Sequence, residues 1–121
     1  MNDPACFFDT YAFFEIIRGN PSYRKYAEIH AITTIFNLAE LNYNLKKEKG
    51  KQVADKYVDN YKAFLVEVTL EDVKKAMDLK VGMKGLSIPD VVGYTVAKRL
   101  GIKFLTGDEG FRNMPDVEFV K

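Results

Sequence analysis

The fold is decided by residues 86–111, which read LSIPDVVGYTVAKRLGIKFLTGDEGF. Pro89 is typical of the first turn of a helix, and Gly101 is typical of the position just after its end. The apolar run at 103–106 predicts a strand that is buried on both faces, and an acidic turn, GDE, follows it at once. A helix that returns directly into a buried strand is half of a parallel crossover. The stretch therefore favours an α/β domain.

The same alternation of apolar runs and helical segments continues through the rest of the chain. Further strands are predicted at 6–8, 30–33, 64–68 and 117–120. Helices are predicted at 11–18, 21–29, 34–49, 51–63 and 70–81. Thr69 and Asp72 form a capping-box pattern at the start of the last of these. We expect one three-layer α/β/α domain over residues 1–121, with a mainly parallel sheet of about five strands.

Composition excludes several classes of protein. The chain has 121 residues, 47% of them hydrophobic and 29% charged, which suits one globular domain with its own core. Its net charge of +1 gives no overall attraction to nucleic acid or membrane. No stretch approaches 18 uncharged apolar residues, so no membrane span is expected. Cys6 is the one cysteine and cannot form an internal disulfide, which makes the cytoplasm the expected compartment.

Four acidic side chains are predicted to reach the same edge of the sheet. The strands of a parallel sheet end at one edge, where ligands usually bind. Asp9 and Asp108 each follow a predicted strand, and Asp90 lies in the first turn of the helix that begins near Pro89. Glu40 lies in the second turn of the helix that follows the second strand. We expect these four carboxylates to converge.

Three of the four acids also have a simpler interpretation. Asp9, Asp90 and Asp108 stand where an aspartate commonly caps a helix or turn. Glu40 is harder to explain in that way, because it shares a helix face with Phe36 and Tyr43. A carboxylate among aromatic side chains is costly without a partner.

A divalent cation would compensate four converging carboxylates. Such acids cannot all remain ionised unless a positive charge neutralises them. Oxygen ligands without nearby His or Cys residues suit Mg²⁺ or Mn²⁺. Ions bound in this way typically serve phosphate chemistry. The residues thus favour a metal-dependent phosphoester hydrolase.

With these residues in view, the chain resembles the PIN-domain ribonucleases, especially VapC-type toxins of toxin–antitoxin pairs. The matching stretches are FFDTYAFF around Asp9, TTIFNLAEL around Glu40, and residues 86–111 with Asp90 and Asp108. They follow one another in the family's order and spacing across nearly the whole chain. The stretch at 86–111 is the most specific, because it joins an Asp-headed helix, a glycine, a strand and a T-x-D-x-x-F ending.

The resemblance implies an activity, a cofactor and partners. It implies cleavage of RNA with Mg²⁺ or Mn²⁺, a cognate antitoxin that inhibits the enzyme, and a homodimer. It assigns the catalytic and metal-binding roles to Asp9, Glu40, Asp90 and Asp108. It assigns supporting hydroxyls to Thr10 and Thr106, with Glu109 as an extra acidic contributor. Arg112, just after the acidic turn, is our candidate for a phosphate contact.

Two positions depart from the family pattern. Tyr11 stands where a small residue is common, which predicts altered access beside Asp9. Gly107 stands where Arg is common, which predicts weaker phosphate contacts or a looser Asp108 turn. The aromatic-rich stretches near the N-terminus also predict that a partner covers part of their apolar surface. The residues concerned are Phe13, Phe14, Ile17, Tyr23 and Tyr26.

Two alternatives remain open at this point. A phosphoaspartate-type phosphatase has a similar sheet, but it needs a second Asp two residues after the first, where this chain has Tyr11. A non-catalytic α/β interaction module predicts no metal binding and no effect of changing Asp9.

Overall fold

The computed structural model describes residues 5–121. Within this range four strands form one parallel sheet: β1 (Ala5–Phe8), β2 (His30–Ile32), β3 (Lys103–Thr106) and β4 (Val117–Phe119). Their order across the sheet is β2-β1-β3-β4. The parallel α/β prediction is confirmed, and all four strands end at the same edge of the sheet.

The predicted strand at 64–68 is wrong. This segment meets the sheet at one isolated parallel bridge between Thr33 and Leu65. The Thr33 amide donates to the Phe64 carbonyl and the Val66 amide donates to the Thr33 carbonyl, both at 3.0 Å. A short 3₁₀ turn, Lys62–Phe64, takes up the first residue of the apolar run. The remaining apolar side chains pack into the core without a continuous ladder of hydrogen bonds.

The helices largely follow the prediction. They are α1 (Thr10–Arg18), α2 (Ile35–Lys49), α3 (Lys51–Tyr61), α4 (Leu70–Gly82) and α5 (Ile88–Leu100). The predicted helix at 21–29 is instead a 3₁₀ segment, Pro21–Glu28, which the Asn20 side chain caps through the Ser22 amide at 2.9 Å. The capping box of Thr69 and Asp72 is confirmed. None of the helices described is sufficiently long and apolar to cross a bilayer.

Core side chains lie on both faces of the sheet, which makes three layers. Phe8 faces a cluster with side chains from α1, α2 and α3, whereas Phe7 faces a cluster with side chains from α4 and α5. Phe13, Tyr23 and Tyr26 are buried in the first of these clusters. The domain itself therefore covers these three rings, whereas Phe14 and Ile17 remain partly buried, and the expected cover by a partner concerns the apolar surface that is left.

Candidate active site

The carboxyl edge of the sheet brings together the acids predicted from the sequence. Asp9 follows β1 and is only 1% exposed, and Asp90 in the first turn of α5 is 9% exposed. Glu40 in α2 and Asp108 after β3 are partly buried. α5 runs antiparallel to β3, which it precedes along the chain. Its first turn, with Asp90, therefore lies at the same edge as Asp9 and Asp108.

The three aspartates act as caps, as the simpler interpretation predicts. Asp9 Oδ1 accepts a hydrogen bond from the Ala12 amide at 2.8 Å at the start of α1. Asp90 Oδ2 accepts from the Ser87 amide at 2.9 Å and completes a capping box at the start of α5. Asp108 Oδ1 accepts from an amide two residues further on, also at 2.9 Å. Each of these bonds occupies one carboxylate oxygen.

The same carboxylates also form one electrostatic cluster. Burial raises the pKa of Asp9 well above its usual value, the charges of Asp90 and Asp108 add to this, and hydrogen bonding from Thr106 opposes it. Burial also raises the pKa of Asp90 to about 6, with further contributions from Glu40 and Asp108. Each of the four acids thus acts electrostatically on at least one other, and their convergence on one metal ion stays a prediction.

A buried asparagine, which the sequence analysis missed, connects the helices that carry the acids. Asn37 Nδ2 donates to the Pro89 carbonyl at 3.3 Å, and this bond joins α2 to the start of α5. The Thr34 hydroxyl donates to Asn37 Oδ1 at 2.7 Å. The Thr10 hydroxyl donates to the Asn37 carbonyl at 3.3 Å. The sequence offered one signal for a buried role of Asn37. It is a polar residue four positions before Leu41 and therefore lies in the apolar stripe of α2.

The two predicted supporting hydroxyls have different roles. The Thr106 hydroxyl accepts a hydrogen bond from the Asp108 amide at 3.0 Å, and its hydrogen bonding also lowers the pKa of Asp9. It therefore acts on two members of the acidic cluster. Thr10 instead joins α1 to the α2 backbone, so its role is to hold those helices together.

Glu109 is paired with cations on the surface. Its two carboxylate oxygens accept from the Arg112 guanidinium at 2.7 and 2.8 Å, and Lys121 Nζ lies 3.4 Å from Oε2. Hydrogen bonding from Arg112, with Lys121 adding, lowers the pKa of Glu109 to about 2. The Arg112 guanidinium also lies 4.3 Å from the centroid of the Phe119 ring. A phosphate would have to compete with Glu109 for Arg112.

The two departures from the family pattern pack against each other. A Cβ placed on Gly107 would lie 2.4 Å from Cε1 of Tyr11 and 2.3 Å from the Val120 carbonyl oxygen. The Tyr11 ring therefore takes the space that a side chain at position 107 would need. Gly107 is buried, and the Asp108 turn after it is held by Thr106 and by its own cap. Two hydrogen bonds thus hold the turn, and weaker phosphate contacts or a looser turn from Gly107 stay predictions.

Comparison with protein families gives a match over almost the whole chain. The family model for the PIN domain matches residues 6–117. The chain belongs to the PIN domain family. A search of curated protein sequences found no match.

Solved structures support the PIN fold of this chain. VapC20 of Mycobacterium tuberculosis, described as a sarcin-ricin loop cleaving toxin, is 19% identical, with a TM-score of 0.79 over 96% of this chain and 99% of that one. VapBC2 of Rickettsia felis, bound to a promoter DNA fragment, is 19% identical. Its TM-score is 0.69, and the alignment covers 97% of this chain and 99% of that one. A toxin–antitoxin complex from Klebsiella pneumoniae is 16% identical, with a TM-score of 0.72 over 93% and 94%. At these identities the likeness establishes the fold.

The donor chemistry of this PIN domain fits a hard divalent cation. Within residues 5–121, no group of three or more Asp, Glu, His or Cys side chains is gathered so that it could hold a metal ion. The capping bonds nevertheless use only one carboxylate oxygen of Asp90 and one of Asp108. The second oxygen of each takes no part in the cap. Mg²⁺ commonly binds through one or two carboxylates and keeps several waters. A cation would also stabilise the ionised forms that burial disfavours at Asp9 and Asp90.

Asp90 predicts a pH dependence of stability in the metal-free PIN domain. The pKa of Asp90 is raised from 3.8 to about 6, so the folded state binds more protons than the unfolded chain between these values. The extra proton bound by Asp90 stabilises the folded state fully below pH 3.8. This stabilisation is lost as the pH rises through about 6. In chelator, the free energy of unfolding should therefore fall by up to about 3 kcal/mol between about pH 4 and pH 6.

Urea denaturation across this pH range, with the parent and an Asp90→Asn variant, checks the prediction. Asparagine can keep the capping bond to the Ser87 amide but does not titrate. The free energy of unfolding of the variant should fall less over this pH range. The part of the fall that remains is due to Asp9, whose pKa is also raised. Identical pH profiles of the two proteins would contradict a shifted Asp90.

Proposed function

We propose that this PIN domain is a Mg²⁺- or Mn²⁺-dependent endoribonuclease that hydrolyses RNA phosphodiester bonds. The observation that carries the proposal is the burial of Asp9 and Asp90 within a cluster of mutually repelling carboxylates. Capping alone does not account for it, because an uncharged asparagine or serine caps a helix about as well. Buried like charges oppose folding, so this arrangement is best explained by a chemical use of the charges.

The cluster supplies the ligands for the cation. Asp9, Glu40, Asp90 and Asp108 would hold it, directly or through its water molecules. When bound, the ion polarises the phosphate and makes a water more acidic, which assists in-line attack on phosphorus. RNA is the phosphodiester substrate that the family membership favours.

The neighbouring residues position these acids. The caps at the starts of α1 and α5 fix the orientation of Asp9 and Asp90. Thr106 accepts a hydrogen bond from the Asp108 amide and favours the ionised form of Asp9. Asn37 ties α2 to the start of α5, and Glu40, about one turn further along α2, acts on Asp90 through its charge. Such prearrangement lowers the cost of organising the site during the reaction.

The proposal extends to the biological role of a toxin. Several structurally similar proteins are described as parts of toxin–antitoxin complexes, and they align with nearly the whole of this chain. We therefore expect a cognate antitoxin that inhibits the enzyme, and a homodimer. Exposed apolar side chains are available for such contacts. They include Ile35, Tyr43, Leu70, Val81 and Ile88.

The test of the activity is cleavage of single-stranded RNA under metal control. Purified protein should cut RNA with Mn²⁺ or Mg²⁺, stop when excess chelator is added, and resume when Mn²⁺ is restored. An Asp9→Asn protein purified in parallel reports contaminating nuclease. Undiminished cleavage in chelator, absent from that control, would reject the metal mechanism. No cleavage under any condition, together with no metal binding, would favour an interaction module.

A further inference from the structure

An aromatic ring bridges two of the segments that carry the acidic cluster. Tyr11 lies in the first turn of α1, two residues after Asp9. Its Cε1 and Cζ approach within 2.4 and 2.7 Å of the point where a Cβ on Gly107 would lie. Gly107 immediately precedes Asp108. The Tyr11 ring therefore lies against the residue that immediately precedes Asp108, at the carboxyl edge of the sheet.

The ring is held in place yet remains partly exposed. Gly107 and the Val120 carbonyl shape the space beside it, and the buried Tyr23 ring lies 6.4 Å away, centroid to centroid. Tyr23 is anchored in turn by its hydroxyl, which donates to the Val120 carbonyl at 2.6 Å. Tyr11 itself is only partly buried, unlike Tyr23 and Tyr26. The ring packs in part against the core cluster of α1, α2 and α3, and the part left exposed is already held in place, so it loses little entropy when a ligand packs on it.

A cation accompanies this aromatic surface. Lys121 Nζ lies 5.7 Å from the centroid of the Tyr11 ring and 3.4 Å from Glu109 Oε2. Its side chain is 54% exposed, so it can turn toward a phosphate without leaving the protein surface. An aromatic face next to a lysine is the combination that binds single-stranded nucleic acid, where the base stacks and the phosphate pairs with the cation.

We propose that Tyr11 and Lys121 form a nucleotide subsite at the edge of the acidic cluster. The Tyr11 ring stacks on the base of a nucleotide that flanks the scissile phosphate, and Lys121 contacts an adjoining phosphate. The subsite rests on the proposed ribonuclease function, and it adds the element that favours an unpaired base. A base within a duplex is covered by its neighbours and cannot offer its face in this way.

The test measures RNA binding without cleavage. Two oligonucleotides are used: an octamer of uridylate, and an abasic octamer with the same number of phosphates. Affinities are measured with Ca²⁺ in place of Mg²⁺, for the parent and for Tyr11→Phe, Tyr11→Leu and Lys121→Gln. Phe14→Leu is the matched control, because Phe14 is also a partly buried aromatic on α1 with a cation, Arg18, 4.8 Å from its ring centroid.

The base dependence identifies stacking. The parent and Tyr11→Phe should bind the uridylate octamer about tenfold more tightly than Tyr11→Leu, since one base stack is worth about that factor. Tyr11→Leu should bind the abasic octamer as the parent does. Lys121→Gln should weaken binding of both octamers equally and reduce the salt dependence. Phe14→Leu should bind both octamers like the parent.

Several outcomes would overturn the subsite. The Tyr11→Leu variant could bind both octamers like the parent, it could lose the same affinity for both, or the parent could bind neither octamer. An equal loss together with a lower melting temperature would show that Tyr11 only supports the fold. A parent that cleaves RNA while Tyr11→Leu binds normally keeps the proposed function without the subsite. A parent that binds in a base-dependent manner but never cleaves keeps the subsite and rejects the proposed function.

Discussion

The Asp9→Asn variant should lose RNA cleavage by about a thousandfold or more, which corresponds to several kcal/mol of lost transition-state stabilisation. The variant should nevertheless be at least as stable as the parent in metal-free buffer at neutral pH. Asparagine can still accept the hydrogen bond from the Ala12 amide. It also removes a buried charge that Asp90 and Asp108 oppose. The expected gain is about 0.5–2 kcal/mol, the size usual for relaxing a functional site.

Asp72 provides a matched control for this substitution. It is 2% exposed, and its carboxylate completes a capping box at the start of α4 just as that of Asp9 caps the start of α1. Unlike Asp9 it pairs with a cation, because Arg99 donates to both of its carboxylate oxygens at 2.9 Å or slightly more. Hydrogen bonding from Arg99 lowers the pKa of Asp72. Asp72→Asn should therefore lose about 1 kcal/mol or more of stability and keep its cleavage activity.

Thermal melting in chelator and in Mn²⁺, with cleavage assays on the same samples, separates the two kinds of aspartate. Mn²⁺ should raise the melting temperature of the parent and of Asp72→Asn more than that of Asp9→Asn, because binding to the folded state is what stabilises it. If Asp9 is only a cap, its variant will cleave RNA normally and respond to Mn²⁺ like the parent.

The Gly107→Ala variant should be among the least stable single substitutions in this domain. The new Cβ would lie 2.3 Å from the Val120 carbonyl oxygen and 2.4 Å from the Tyr11 ring. One of these contacts is to backbone, which a rotamer change cannot relieve, so strand β4 or the Asp108 turn would have to move. We expect a loss of about 3 kcal/mol or more in the free energy of unfolding. The melting temperature should fall by about 10 °C.

Gly85→Ala is the control, because a Cβ at that position meets no atom within 4 Å. It should change stability by no more than about 0.5 kcal/mol. The double variant Tyr11→Ala, Gly107→Ala removes the ring contact but leaves the Val120 contact, so it should recover little. A Gly107→Ala protein that melts with the parent would show that position 107 is open. That result would remove the structural link between Tyr11 and the Asp108 turn.

Local chemistry predicted most of the elements. The capping box at Thr69, the proline in the first turn of α5 and Gly101 after its end are signals that act within a few residues, and the structure shows all three. Apolar runs predicted β1 and β3, because strands that are buried on both faces are continuously apolar and do not alternate with polar residues. The edge that collects Asp9, Asp90 and Asp108 followed from these elements, because parallel strands all end on one side.

Other features depended on contacts between residues distant in the chain. Residues 64–68 have the composition of a strand, yet in the structure they follow the 3₁₀ turn at Lys62–Phe64 and form one bridge, between Leu65 and Thr33. The composition of a short apolar run does not distinguish a paired strand from a segment that packs its side chains into the core without a ladder.

Local sequence signals were sufficient to predict the five α-helices, the four paired strands and the edge of the sheet that carries the acids, but they failed at 21–29 and 64–68. Only the tertiary structure decided how the site around those acids is built. Tyr11 meets Gly107 across 96 positions, Asn37 reaches Pro89 across 52, and Lys121 reaches Glu109 across 12. Helix propensities and capping signals act over about one helical turn and carry no information about contacts between residues so far apart in the chain. The pairs form only when the packed core has fixed the distances between the elements, and a glycine or a buried amide then has one place to fit.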